Sequence, residues 1–227
     1  MIDIKVGAGW RQAHPAAHIG VLLVDQVDNS RRPTPLDEHK KALTATLRAQ
    51  YGGWSRADLL TLPVLQIYRQ YYKRFKKTYH VQLQLESVLH RGKELPTVNP
   101  LVDAAFAAEM ETLILTASHD VACLEPPLLI DSVGEGEVFT AMNGEEQPLK
   151  AGDMAMRDAH GAICTIIYGQ DQRSPITPAT RRALYVAYVP AGIEVTAVTH
   201  HLQTIARNVR LFAPTAVTEM LHVYTAV

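Results

Sequence analysis

The residues able to bind a ligand or move a proton are few and scattered: Glu86, His90, Arg91, Asn99, Asp103, His119, Asp120, Glu137, Asp158 and Arg173. Several have a local explanation. Asn99 before Pro100 fits a helix cap, Asp158 fits a turn, and His90 fits an exposed helix face. Asp103 either caps backbone amides or pairs with a cation, and Glu137 has no local explanation. Familiar constellations are missing. His14 and His18 are separated by Pro15, which argues for a loop, and the adjacent His200 and His201 point in different directions on a helix. Neither Cys123 nor Cys164 has a partner at metal spacing, so no metal and no cofactor is expected. Val6-Gly7-Ala8-Gly9-Trp10 has too few glycines in the wrong frame for a phosphate loop, and no serine lies in a nucleophile elbow. Cys164 sits in a strand-like apolar run with no activating base, which reads as a core thiol.

Charge is more informative. Arg69, Lys73, Arg74, Lys76, Lys77, Arg91 and Lys93 face a single acid, Glu86, in one stretch, while the whole chain has a net charge of −1. Such a segment is either a solvated helix face or an anion-binding surface. Tyr68, Tyr71, Tyr72 and Phe75 are interleaved with its cations. The rings suit base stacking or service as core anchors beside snorkelling lysines.

The elements that must position these residues are legible in part. Ile2–Val6 and Ile19–Val27 read as strands. Thr34-Pro35-Leu36-Asp37 opens a helix that Gly52-Gly53 ends, and Ser55-Arg56-Ala57-Asp58 repeats the capping pattern. Pro63 starts the helix of the aromatic residues. Val81, Leu85, Val88 and Leu89 form the stripe of the next, and Asn99-Pro100 begins a third, rich in alanine. After Ala122, Leu128–Ile130, Glu137–Phe139 and Asp153–Met156 read as short strands. Asp158–Gly161 turns the last of these into a hairpin with Ala162–Tyr168. A strand at Ala183–Val189 and a helix from about Ile193 close the pattern, giving a helix-rich half before Asp120 and a strand-rich half after it.

This is the pattern of an α+β fold with a mixed or largely antiparallel sheet packed by helices. A length of 227 residues and 47% hydrophobic residues suit a single domain over 1–227 with one core. No apolar run approaches the roughly 20 residues of a membrane span, and Met1–Val6 lacks the features of a signal peptide. A soluble cytoplasmic protein with reduced thiols is expected. No heptad indicates an oligomeric state.

Tyr72-Lys-Arg-Phe-Lys-Lys-Thr-Tyr79, Leu85-Glu-Ser-Val-Leu-His-Arg-Gly92 and Leu95-Pro-Thr-Val-Asn-Pro-Leu-Val-Asp103 together resemble the B3/4 domain, found within the β subunit of phenylalanyl-tRNA synthetase and as free-standing proteins. Gly136-Glu137-Val138-Phe139, Ala151-Gly152-Asp153 and Asp158–Gly161 are similar to its later motifs, so the likeness runs from about Leu60 to Val189. In the synthetase the domain is an editing module that hydrolyses tyrosine misattached to phenylalanine tRNA. The resemblance therefore implies tRNA or aminoacyl-tRNA as partner and a pocket for an amino-acid-like group. Asn99, Asp103, Phe106, His119 and Glu137 are the pocket residues it suggests, with Lys73, Arg74, Lys76, Lys77 and Arg91 contacting RNA. The chain departs from the pattern in having Ala105-Phe106 for a polar Thr-Asn pair, a differently spaced His119-Asp120, and no glutamate near Tyr185–Ala187.

Three functions follow from these observations. The first is a stand-alone module binding tRNA, aminoacyl-tRNA or a related small amino-acid-like ligand. The second is a trans-acting deacylase, with His119 as general base because an imidazole titrates near neutrality. The third is a non-catalytic protein-interaction domain whose cations are merely solvated. Cations gathered around a hollow beside the pocket favour the first, and cations pointing in scattered directions favour the third.

Overall fold

A computed structural model describes residues 2–30 and 34–227. The chain begins with strand β1 (Ile4–Val6), a six-residue helix α1 (Ala8–Ala13) and strand β2 (His18–Asp25). Five helices follow: α2 (Thr34–Tyr51), α3 (Arg56–Leu59), α4 (Pro63–Arg74), α5 (His80–His90) and α6 (Pro100–Thr112). The expected caps are in place. Ser55 Oγ accepts the N–H of Asp58, whose carboxylate accepts the N–H of Ser55 at 2.8 Å. Asn99 accepts the N–H of Val102 at 3.1 Å, with Pro100 at the first helical position.

Strands β3 (Thr116–Asp120), β4 (Leu128–Ser132), β5 (Val138–Thr140), β6 (Glu146–Pro148), β7 (Met154–Asp158), β8 (Gly161–Thr165), β9 (Gly169–Gln170) and β10 (Ala183–Val189) come next. Helix α7 (Val195–Arg210) and strand β11 (Val217–Thr225) end the chain. The fold is α+β. One sheet is antiparallel with order β11-β2-β10-β3. A mixed sheet has order β1-β4-β7-β8-β9, in which β1 and β4 run parallel, and β5-β6 is a separate ribbon. Strand β10 is buried at every position, as its unbroken apolar sequence requires between two neighbouring strands and two covered faces. Helix α7 lies directly on β2 at Gly20, where an added Cβ would stand 2.8 Å from Val198.

Five elements depart from the sequence expectation. Helix α1 and strands β3, β6, β9 and β11 were not foreseen, and β3 places strand structure before Asp120 rather than after it. Cys123 is exposed and Cys164 buried, so the two cysteines are a surface thiol and a core thiol.

Helix α4 joins the two large sheets through hydroxyl groups. Tyr68 donates to the carbonyl of Tyr188 on β10 (2.6 Å) and accepts the N–H of Leu115 (3.2 Å). Tyr71 donates to Asp153 (2.6 Å) and accepts the N–H of Met154 on β7 (2.8 Å). Tyr72 donates to the carbonyl of Ile166, just beyond β8, at 2.6 Å. All three rings are buried, so the aromatic residues of the basic segment are core anchors. A buried hydroxyl left unpaired costs about 1–3 kcal/mol, so each bond also fixes the angle at which a sheet meets the helix.

Candidate functional site

Between the sheets that α4 joins is a cavity of about 160 Å³. Its walls are Phe106 and Val102 on α6, residues 115–118 leading into and along β3, Cys164 and Thr165 on β8, Gly169 and Gln170 on β9, with Tyr188 and His80. No Asp, Glu, Lys or Arg lines it. A neutral ligand group with an apolar body and a few hydrogen bonds suits such a space, which is smaller than the roughly 300 Å³ of a drug-sized site.

The β3 wall is an open sheet edge. Tyr188 N–H donates to the Leu115 carbonyl (3.2 Å) and Val121 N–H to the Arg182 carbonyl (3.1 Å), so odd-numbered residues face β10. Thr116 N–H instead donates to Glu109 at 2.7 Å, and Asp120 N–H to the Ser174 carbonyl at 3.0 Å. Strand backbone groups alternate in direction. Ser118, midway between those two, therefore turns its N–H and carbonyl outward on the cavity side, where no protein group among the described residues meets them.

His80 supplies a second free group. Tyr72 has one hydroxyl proton, and Ile166 takes it. The 3.0 Å contact between the Tyr72 oxygen and His80 Nδ1 is therefore donated by the imidazole, which leaves Nε2 as an unprotonated acceptor with no protein partner among the described residues. The residue stays exposed at the rim, but desolvation of the ring against Tyr72 and Tyr79 pulls its pKa down to about 4. The ring is neutral at physiological pH.

Of the five expected pocket residues, only Phe106 lines this cavity. Asn99 caps α6 and is also bonded to Asn29 (3.2 Å) and to the Ile176 carbonyl (3.3 Å). Asp103 is 3% exposed, holds the ammonium of the buried Lys40 at 2.8 Å and accepts the N–H of Val98. Glu137 forms a two-point pair with Arg157 (2.6 and 2.8 Å) and accepts the N–H of Gly134. The Arg157 hydrogen bond holds its carboxyl below the usual carboxylate range. His119 is fully buried with Nδ1 2.8 Å from Ser174 Oγ, and burial pulls its pKa down to about 3. It lies in a network in which Arg173 holds Asp158 (3.0 Å) and Asp171 (2.5 Å) while Thr180 donates to Asp120 (2.6 Å). That network ties β3 to the segment after β9.

The cations divide. Lys73 and Lys77 line a hollow near the cavity. Arg74 is on another flank of α4, with its guanidinium 5.2 Å from the Tyr71 ring centre and 5.4 Å from that of Phe75. Lys76 and Arg91 are exposed where α4 and α5 end. His80 and Ser118 were missed in the sequence. One opens a helix and the other lies in a short polar stretch, and nothing in their spacing marks them.

A B3/4 domain model matches residues 66–223 of the chain. The chain belongs to the B3/4 domain family. The B3/4 match continues past the motif-bearing stretch through α7 and into β11, and it contains every residue of the cavity wall. Among solved structures, the chain is similar to an N-terminal fragment of the phenylalanyl-tRNA synthetase β-subunit from Pyrococcus horikoshii. Identity is 11%, the TM-score is 0.47, and the alignment covers 93% of this chain and 49% of that one. The chain thus spans about half the length of that fragment. No curated protein matches it.

Proposed function

We propose that this B3/4 protein binds aminoacyl-tRNA, or the related uncharged tRNA, with the cavity receiving the amino-acid-like group. Family membership supports a tRNA-related role. The observation that carries the reading is the uncharged cavity itself, in which the outward N–H and carbonyl of Ser118 and the free Nε2 of His80 converge with the apolar wall of Phe106 and Tyr188. An amino-acid ester offers both partners those groups need: a carbonyl to accept from the N–H, and an amino group to donate to the carbonyl or the nitrogen. The position of Lys77, whose ammonium is 5.4 Å from the Tyr168 ring centre beside Gly169, puts positive charge next to the cavity. Filter binding with charged and uncharged tRNA at low salt tests the reading, with affinity falling steeply as salt rises. A folded protein with no measurable affinity at low salt rejects it.

A trans-acting deacylase is the second reading, and the presence of His80 and Ser118 in the wall of one cavity favours it. Water would attack the ester carbonyl, the Ser118 N–H would stabilise the oxyanion, and the ribose hydroxyl would leave, taking the proton released by the water. We assign contact with that water to His80 rather than the fully buried His119. A nitrogen held near 4 orients a water better than it deprotonates one, so slow turnover is expected. Deacylation measured across several mischarged tRNAs separates binding from hydrolysis.

A further inference from the structure

A second hollow, of about 290 Å³, opens beside α4, and its walls carry Arg56, Arg69, Lys73 and Lys77 over a floor that includes Tyr79 and Gln82. Arg69 and Lys73 are one turn apart on α4, Lys77 follows just past the end of that helix, and Arg56 reaches in from α3. Only Arg56 has an acid, Glu86 at 3.3 Å, and that carboxylate already accepts from the Gln82 amide at 2.7 Å. Arg69, Lys73 and Lys77 form no ion pair among the described residues. Like charges four apart on a helix repel each other. The helix dipole offsets this for Lys73 in the last turn, but it does nothing for Arg69 or for Arg56 on another element. Four cations line one concavity with one preoccupied carboxylate between them, an arrangement suited to an anion from outside.

We propose that this hollow is a phosphate subsite, holding one phosphodiester of the RNA whose acylated end occupies the cavity. The assignment rests on the tRNA reading above and sharpens it: it adds Arg56 and Arg69 to the contact set and leaves out Arg74, Lys76 and Arg91, which do not line the hollow. The two sites are adjacent. Lys77 stands on the hollow and over Tyr168, the neighbour of Gly169 in the cavity wall, and only Thr78 and Tyr79 separate Lys77 from His80. A compact tetrahedral anion suits cations that approach from two helices and a loop, and the exposed Thr78 adds a hydroxyl donor.

The test uses the full chain and its Arg69→Gln/Lys73→Gln/Lys77→Gln variant, all three positions being exposed. Inorganic phosphate should move the amide signals of Thr78 and Gln82 saturably in the wild type and not in the variant. No saturable shift in the wild type, or the same shift in both, overturns the subsite. An acidic peptide that moves those signals as strongly as phosphate also overturns it. With tRNA, the variant should bind roughly tenfold or more weakly at low salt, and its log–log salt slope should flatten by about 2–3. The surface control Lys150→Gln should bind as the wild type does. Equal tRNA binding by the triple variant and the wild type overturns the subsite and leaves the tRNA reading standing. A wild type that binds phosphate and no tRNA sinks that reading, and with it RNA as the source of the phosphate, while the anion site itself stands.

Discussion

The Tyr72 hydroxyl lies between the Ile166 carbonyl at 2.6 Å and His80 Nδ1 at 3.0 Å, so its single proton decides which histidine nitrogen is free. A core tyrosine thereby sets the chemistry of a rim residue on a different element. Tyr72→Phe should release the tautomer. Long-range nitrogen–proton spectra are expected to show a protonated Nδ1 in the wild type and a tautomer mixture in the variant. The stranded Ile166 carbonyl should cost about 1–3 kcal/mol, and aminoacyl-tRNA affinity should fall several-fold. An Nε2-protonated wild type would contradict the assignment.

His80 and His119 separate function from stability. His80→Ala removes an exposed ring with one hydrogen bond and should cost about 1 kcal/mol while weakening aminoacyl-tRNA binding and abolishing any deacylation. His119→Ala empties a fully buried site and leaves the Ser174 hydroxyl with only its long 3.5 Å bond to Asp171, a cost of roughly 2–3 kcal/mol. The protein that remains folded should bind and turn over as before. Denaturant melts run alongside binding assays read both effects, and a stable but inactive His119→Ala protein would return the role to His119.

Asp103 and Lys40 form a buried pair, 3% and 5% exposed, with the ammonium also donating to the Pro96 carbonyl and Thr97. The pair fastens the Leu95–Asn99 loop to α2, so Asp103 has a supporting role. Lys40→Met leaves the carboxylate buried without its cation and should cost about 3–5 kcal/mol. Thermal melts test this, and a change in melting temperature of less than a few degrees would mean that Asp103 finds another partner.

What the sequence disclosed was whatever is written locally. Ser55, Asn99 and the Asp158–Gly161 turn announce their elements because the cap or turn bond closes within four residues. Strand β11 is an edge strand with no fully buried residue between Val217 and Thr225 and a bulge at Thr218–Met220. Its alternation is therefore blurred, and only pairing with β2 makes it a strand. Strand β3 contains Thr116-Ala-Ser-His-Asp120, too polar and short to read as a strand without β10 beside it. The basic segment stood out because charge survives in composition. The cavity did not, because its free groups are defined by bonds that span the fold: Tyr72 to Ile166, Thr116 to Glu109, and Asp120 to Ser174.

Glu109 makes stability fall on the alkaline side. Full burial raises its pKa from 4.5 to about 8, against the pull of the Thr116 N–H. The folded state therefore keeps a proton that the unfolded chain releases, and stability is lost as pH rises from about 4.5 through 8. Five histidines act in the opposite sense: His14 and His80 are lowered to about 4, His119 and His201 to about 3, and burial lowers His18 as well. The unfolded chain protonates them first, so stability is lost as pH falls below about 6.5. Glu109→Gln keeps an acceptor for Thr116 and removes the ionisation. Its stability relative to wild type, read from denaturant melts, should climb between pH 5 and 8 by an amount on the order of a few kcal/mol. A pH-independent difference between the two proteins would show that Glu109 titrates normally.

Ser118→Pro isolates a single backbone group. The Ser118 N–H faces the cavity, opposite the β10 ladder, so replacing it with a ring removes no sheet hydrogen bond. Proline is tolerated on edge strands where the missing donor faces outward, and the extended backbone at Ala117 already suits a following proline. The variant should melt within a few degrees of the wild type. It should lose roughly tenfold in affinity for aminoacyl-tRNA, as a donor to a desolvated carbonyl is worth about 1–2 kcal/mol, and uncharged tRNA should bind nearly as before, since the ring fills space that only the aminoacyl group occupies. Ser118→Ala retains the N–H and should leave both affinities within about twofold, which assigns the effect to the backbone rather than the hydroxyl. Equal losses for charged and uncharged tRNA would mean that the edge of β3 contacts the RNA itself.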